Sequence, residues 1–206
     1  MPAFISHFCY GLVACFVGAI PFGAINLSVM NISIKKSYQK GMQFALGSSL
    51  VEILEAFVAI SFGLYIEQYL RHHWALELLI VLFFLSVGLY FFLRSATPVG
   101  GVKLKVHSNE FFQGIVVALL NPQAIPFWLF ALAFIAPYHI VDFIGVNLYI
   151  FLSGVFFGKL LALLLFAKSS TYIRQHLSSS YALVDRSLGT IFIILGIIQA
   201  YKFFVV

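Results

Sequence analysis

Charge is what this chain has least of. Lysine, arginine, aspartate and glutamate together make up 9% of its 206 residues, against 62% hydrophobic residues and a mean hydropathy of +1.04. No soluble domain of this length needs so much apolar surface, so the composition places the chain in a bilayer. Cysteine is also scarce. Cys9 and Cys15 stand six apart within one apolar segment, without the close spacing of a redox pair or the histidine company of a metal site, and they read as packing residues. A Gly-x-x-x-x-Gly-Lys-Ser/Thr phosphate loop is missing, and spans of roughly 20 residues each use up the available length. That excludes an ATP-driven pump encoded in one chain. Met1 to His7 lacks any lysine or arginine, which a secretory signal needs, so the first apolar segment is expected to be the first transmembrane helix.

What is present is a series of long apolar runs. They predict helices near residues 5–32, 42–66, 74–94, 111–136, 143–167 and 185–205, too long and too uniformly apolar for the alternating strands of a membrane barrel. The fold class expected is therefore all-α integral membrane, with six transmembrane helices. Loop charge orients them, because cytoplasmic loops collect lysine and arginine. Loop one has Lys35, Lys36 and Lys40; loop three has Arg94, Lys103 and Lys105; loop five has Lys168, Arg174 and Arg186. Loop two offers only Arg71, loop four nothing, and the C-terminus only Lys202. Both termini are expected outside. The net charge of +5 follows from this bias, and basic residues scattered over loops do not make a nucleic-acid surface.

Three spans per half is an odd number, so if the halves are related the second is inserted upside down. The expected organisation is a first three-helix repeat over 1–98, a cytoplasmic linker over 99–110 and a second three-helix repeat over 111–206, all in one membrane domain. Helices one and four are each expected to be broken: Ala19-Ile-Pro-Phe-Gly-Ala-Ile-Asn26 carries Pro21 and Gly23, and Leu120-Asn-Pro-Gln-Ala-Ile-Pro126 carries Pro122 and Pro126. A proline inside a helix frees a backbone carbonyl, which hydrocarbon cannot satisfy. One such break is usually a packing kink. A matched pair, with amides at Asn26, Asn121 and Gln123, points to a binding site where the interruptions meet.

Ionisable groups at mid-depth are the second anomaly. Glu52 and Glu55 lie roughly 15–20 Å from the cytoplasmic end of helix two at 1.5 Å per residue, and their i, i+3 spacing puts them on one face. A mid-helix carboxylate costs about 2.5–3.5 kcal/mol on insertion scales, so the pair implies a polar interior, a cationic partner or a bound proton. Lys159, well inside helix five, is the candidate cation at comparable depth. A Glu–Lys bridge that only ties helix two to helix five is the structural alternative to proton coupling. Glu77 suits the positive end of helix three. His72, His73 and Trp74 look like a membrane–water boundary rather than a metal site, while Tyr10, Trp128, Tyr138 and Tyr149 suit either belt aromatics or cavity walls. Gly41, Gly47, Gly154 and Gly158 read as small residues for close helix packing.

Taken in order, these residues resemble the LysE/RhtB family of amino-acid exporters. Phe22-Gly23-Ala24-Ile25-Asn26-Leu27 stands where that family commonly has a Pro-Gly-Pro core. Gly41 and Gly47 followed by Glu52 stand where it has a Gly-rich stretch ending in an acidic residue, and Asn121-Pro122-Gln123-Ala124 with Phe127-Trp128 where it has Asn-Pro-Lys-Ala and an aromatic. Phe22 and Ala24 replace the two flanking prolines, and Gln123 replaces the lysine. The resemblance implies a secondary transporter, not an enzyme, that exports amino acids or related small metabolites across the cell inner membrane on the proton gradient. Gly23, Asn26, Asn121, Pro122 and Gln123 would then bind substrate, and Glu52, Glu55 and Lys159 would serve proton coupling or an ion pair. Its expected partners are a small-molecule substrate and the lipid bilayer, with no nucleic acid, cofactor or metal; a homo-oligomer is left open. The competing classes are a membrane thiol or electron carrier, which needs paired accessible cysteines, and a non-transporting membrane partner subunit.

Overall fold

The computed structural model describes residues 3–20, 23–70, 74–93, 109–121, 124–135, 142–176 and 181–205. Pro21, Phe22, Arg71, His72, His73, Arg94, Lys103, Lys105, Pro122, Gln123 and Tyr138 lie outside the described residues, as do the side chains of Glu77, Pro126, Arg174 and Lys202. Nine helices are described: α1 (Ala3–Ala19), α2 (Ala24–Lys35), α3 (Tyr38–Leu70), α4 (Trp74–Leu93), α5 (Glu110–Leu119), α6 (Ala124–Ile135), α7 (Val146–Lys168), α8 (Ser170–His176) and α9 (Tyr181–Val205). No strand occurs among the described residues. Each of the six expected segments carries helix, the first and fourth as the pairs α1/α2 and α5/α6. The one unforeseen element is α8, a short helix in what reads as the polar stretch Ser169 to Asp185.

Among the described residues two helices, over Tyr38–Gly63 and Val146–Lys168, are by themselves long and apolar enough to cross a membrane, and Phe4–Ala19 with Ala24–Lys35 adds a third if the pair, bent by 78° at the break, is counted as one span. Local chemistry sets the ends. The Ser37 hydroxyl accepts from the backbone N–H of Lys40 at the start of α3, and the Asn109 carboxamide oxygen accepts from Phe111 N–H at the start of α5, each satisfying a first-turn donor that has no partner inside its own helix.

The chain packs as two units. One holds residues up to Ser61 together with Val99–His176, and so contains α1, α2, most of α3 and α5 to α8; the other holds Phe62–Pro98 and Leu177–Val206. In the second unit α4 and α9 lie against each other with Phe84 and Phe192 stacked, their ring centroids 6.1 Å apart, and Gly88 and Gly189 let the two backbones approach closely.

The first unit is organised by two helix crossings. Where α3 meets α5, a side chain on Gly47 would strike the carbonyl of Phe111, and one on Gly114 would strike the carbonyl of Phe44. Where α1 meets α7, a side chain on Gly11 would strike the carbonyl of Phe151, and one on Gly154 that of Phe8. Both crossings are therefore backbone against backbone, the close approach that small residues permit in membranes. The same four positions form a sequence pattern. Phe-x-x-Gly occurs four times in the chain, at Phe8/Gly11, Phe44/Gly47, Phe111/Gly114 and Phe151/Gly154, and all four stand at these two crossings. Gly158 extends the second crossing against Leu12, in line with the packing role expected of Gly154 and Gly158. Ser48 adds a hydrogen bond to the first, donating to the Gly114 carbonyl at 3.1 Å.

Candidate transport site

The side chains in question come from α3. Its buried stripe runs Ser48, Glu52, Glu55, Ala59, at the spacing of one helix face, while Leu50, Leu54, Phe57, Val58 and Phe62 on the other side are exposed. In a bilayer that exposed side faces lipid, so the polar face turns inward. Glu52 is 3% and Glu55 9% exposed, and neither points outward.

Glu52 is paired at both oxygens. The Trp128 indole Nε1 on α6 donates to its Oε1 at 2.8 Å, and the Lys159 ammonium on α7 lies 2.8 Å from its Oε2. Lys159 is itself only 7% exposed. Trp128 is held edge-on between Phe127, with centroids 5.2 Å apart, and Phe151, at 6.0 Å. A buried charge pair is best tolerated when further hydrogen bonds support it, and here the indole supplies one to the carboxylate. Glu55, one turn further on, differs: its Oε2 is buried with no hydrogen-bond partner among the described residues. Cys15 on α1, buried among Ala56, Ala59, Trp128 and Val155, lies within electrostatic reach of Glu52, Lys159 and Glu55.

The described residues on either side of the two interruptions each satisfy a helix end. At the first, Gly23 adopts an extended conformation in front of α2, and no side chain among the described residues caps that helix. Asn26 is buried and reaches back across the break, its Nδ2 donating to the Ala19 carbonyl at 2.7 Å, which supplies a partner for an acceptor at the end of α1. Ser28, half a turn beyond, has a buried hydroxyl without a hydrogen-bond partner among the described residues. At the second, Asn121 N–H donates to the Ala118 carbonyl at 2.8 Å, closing the end of α5. Pro122 and Gln123 lie outside the described residues, so of the five expected substrate-binding positions Gly23, Asn26 and Asn121 are placed. The expected pairing partner Lys159 meets Glu52 and not Glu55.

Two side chains make buried contacts that the sequence did not point to. Trp128 reads there as a belt or cavity aromatic, yet it is fully buried and bonded to Glu52. Glu110, at the edge of the apolar segment that begins at 111, is buried, with Lys36 Nζ 2.5 Å from its Oε1 and Lys40 Nζ 3.2 Å from its Oε2. The hydrogen bond from Lys36 is the main reason its carboxyl is held down at about 2. A sequence spacing marks Glu110 but not Trp128: the Phe-x-x-Gly segments on α1 and α5 are 103 residues apart, and those on α3 and α7 are 107 apart. The second interval also separates Glu52 from Lys159, and the first separates His7 from Glu110.

Among the described residues no three His, Cys, Asp or Glu side chains gather to hold a metal ion. Cys9 is exposed and Cys15 buried, and neither forms a disulfide. Comparison with curated proteins and with solved structures gives no match. A family profile, LysE type translocator, matches residues 16–202, which takes in the first break, the α3 carboxylates, the second break and Lys159. The chain therefore belongs to the LysE type translocator family, whose members are membrane exporters of amino acids or other small metabolites.

Proposed function

We propose that this protein is a proton-driven, alternating-access exporter of an amino acid or a related small metabolite, multi-pass in the cell inner membrane with both termini outside. The observation that carries the proposal is the unequal treatment of two adjacent buried carboxylates. Glu52 has the Trp128 indole at one oxygen and the Lys159 ion pair at the other, whereas Glu55 keeps one buried oxygen with neither a hydrogen bond nor an ion pair among the described residues. A carboxyl group in that position is neutralised by a proton far more cheaply than it is left charged. Glu55 is thus the proton carrier, and Glu52 and Lys159 form the ion pair that keeps the polar interior in place.

Substrate binds at the two breaks, through Gly23, Asn26, Asn121, Pro122 and Gln123. The uncapped start of α2 favours a carboxylate, and the amides add hydrogen bonds that are weak enough to release. Gln123 in place of the family lysine removes a cation, which suits a substrate with less negative charge at that end. Support for two inverted repeats, 1–98 and 111–206 joined by 99–110, comes from the four Phe-x-x-Gly segments. Under an inverted two-fold, α1 corresponds to α5 and α3 to α7, each crossing becomes the image of the other, and Glu52 becomes the counterpart of Lys159.

The test is a metabolite screen of cells overexpressing the protein, with Glu52→Gln and Glu55→Gln variants at matched membrane levels. One or a few intracellular solutes should fall with the wild type and stay at control levels with Glu55→Gln. If Glu55→Gln exports as the wild type does, the coupling role is wrong.

A further inference from the structure

The equal spacings reach beyond the crossings to the two ends of the first unit. His7 stands one residue before Phe8, and Glu110 one residue before Phe111, so the two occupy the same place in front of their Phe-x-x-Gly segments. Each is buried, and each is clamped by the loop that leads into the helix it crosses. Glu110 takes Lys36 from the loop between α2 and α3, and Lys40 from the first turn of α3. His7 Nε2 accepts from the backbone N–H of Asp142, in the stretch leading into α7, at 3.0 Å. The chemistry differs while the placement is shared: an ion cluster at one end, a hydrogen bond to backbone at the other.

The buried charges lie between these clamps. Lys40 and Glu52 are twelve residues apart on α3, roughly 18 Å along the axis, and His7 and Cys15 are eight apart on α1, roughly 12 Å. On each side the sequence of obstacles is the same, first a clamp and then a glycine crossing, before the Glu52–Lys159 pair is reached. A path along either set of helices to that pair would pass its clamp and then its crossing. Both are closed here.

Building on the transport reading above, we infer that Glu110 with Lys36 and Lys40 forms the cytoplasmic gate, and that His7 with the Asp142 backbone forms its counterpart at the outer end, the two gates opening in alternation. Glu110 and His7 are positioning residues and touch no substrate. The assignment of ends follows from the lysine-rich first loop.

Native Cys15 reports the outcome, since it is buried beside the Glu52–Lys159 pair. In a Cys9→Ser chain it is the single thiol, and its reaction with a small membrane-impermeant methanethiosulfonate is followed separately in inside-out vesicles and in right-side-out vesicles. Glu110→Gln should speed labelling from the cytoplasmic face roughly fivefold, the size expected from losing a partly exposed ion cluster that biases a two-state equilibrium, and slow it from the outer face. His7→Phe should do the reverse. The exchanged variant Lys36→Glu/Lys40→Glu/Glu110→Lys should label as the parent chain does. Where Glu110→Gln fails to reach the membrane, Lys36→Gln/Lys40→Gln opens the same clamp from its exposed side. Labelling that is unchanged in both single variants, that rises from the same face in both, or that is not restored by charge exchange overturns the gate assignment. Labelling does not depend on proton coupling, so such a result alongside loss of export in Glu55→Gln would leave the transport proposal standing without these gates.

Discussion

Two carboxylate–lysine contacts in the first unit use the same groups in opposite surroundings. Glu52 and Lys159 are both buried at mid-helix, and an indole completes the set. Glu110 is buried too, but Lys36 and Lys40 that hold it are largely exposed. In the interior each charge has given up its hydration, so removing one partner strands the other at about 3–5 kcal/mol. At the edge, water replaces a lost lysine, and an exposed pair contributes about 0–1 kcal/mol. The interior contact is therefore suited to staying made, and the edge contact to being broken and remade.

The largest effect is expected from Lys159→Met alone, which should lower stability in detergent by about 3–5 kcal/mol. Lys159→Met combined with Glu52→Gln should recover most of that loss, because no unpaired charge remains. Equal destabilisation by the single and double variants would show that packing, and not charge, dominates there. Next come the crossings. Gly47→Val or Gly154→Val places a side chain against a carbonyl of the facing helix, and overpacking of this kind costs about 1–3 kcal/mol; thermal melts of the two variants should shift by similar amounts if the crossings are equivalent. Trp128→Phe keeps the ring and removes the donor to Glu52, and an unsatisfied buried acceptor costs about 1–3 kcal/mol.

Smallest is the edge cluster. Lys36→Ala should cost about 1 kcal/mol or less, shrinking further in high salt. Its pH dependence has a definite sign. The Glu110 carboxyl is held at about 2 when folded, below the roughly 4.3 of an unpaired glutamate. Its contribution is thus complete above the unfolded value and is lost as pH falls through about 2. Acid titration of the wild type against Glu110→Gln should show the difference between them disappearing over that window; a difference that persists to the acid end would mean the cluster is not what holds the carboxyl.

Much of the helical layout was legible because long apolar runs with few charges leave little choice, and the inward turn of Glu52 and Glu55 was legible because facing lipid costs too much. Which of the two meets Lys159 was not. They share a helix face, and a rotation of α3 by a fraction of a turn exchanges them. Trp128 was hidden among many aromatics, at 17% of the chain. Glu110 was hidden because a carboxylate at the end of a polar linker has an ordinary explanation in water. The Phe-x-x-Gly pattern is plain in the sequence, but its spacing changes from 107 between α3 and α7 to 103 between α1 and α5, so a search at one fixed period passes over it. α8 escaped because seven residues with several polar side chains carry no apolar periodicity.

The most direct measurement uses the solute identified in cells, in proteoliposomes that contain purified wild-type or Glu55→Gln protein. Exchange of labelled for unlabelled solute and transport driven by an imposed pH gradient are read side by side. The expected result is that Glu55→Gln retains exchange and loses the response to the pH gradient. A variant that still concentrates solute against its gradient when pH alone drives it would contradict the assignment of the proton to Glu55.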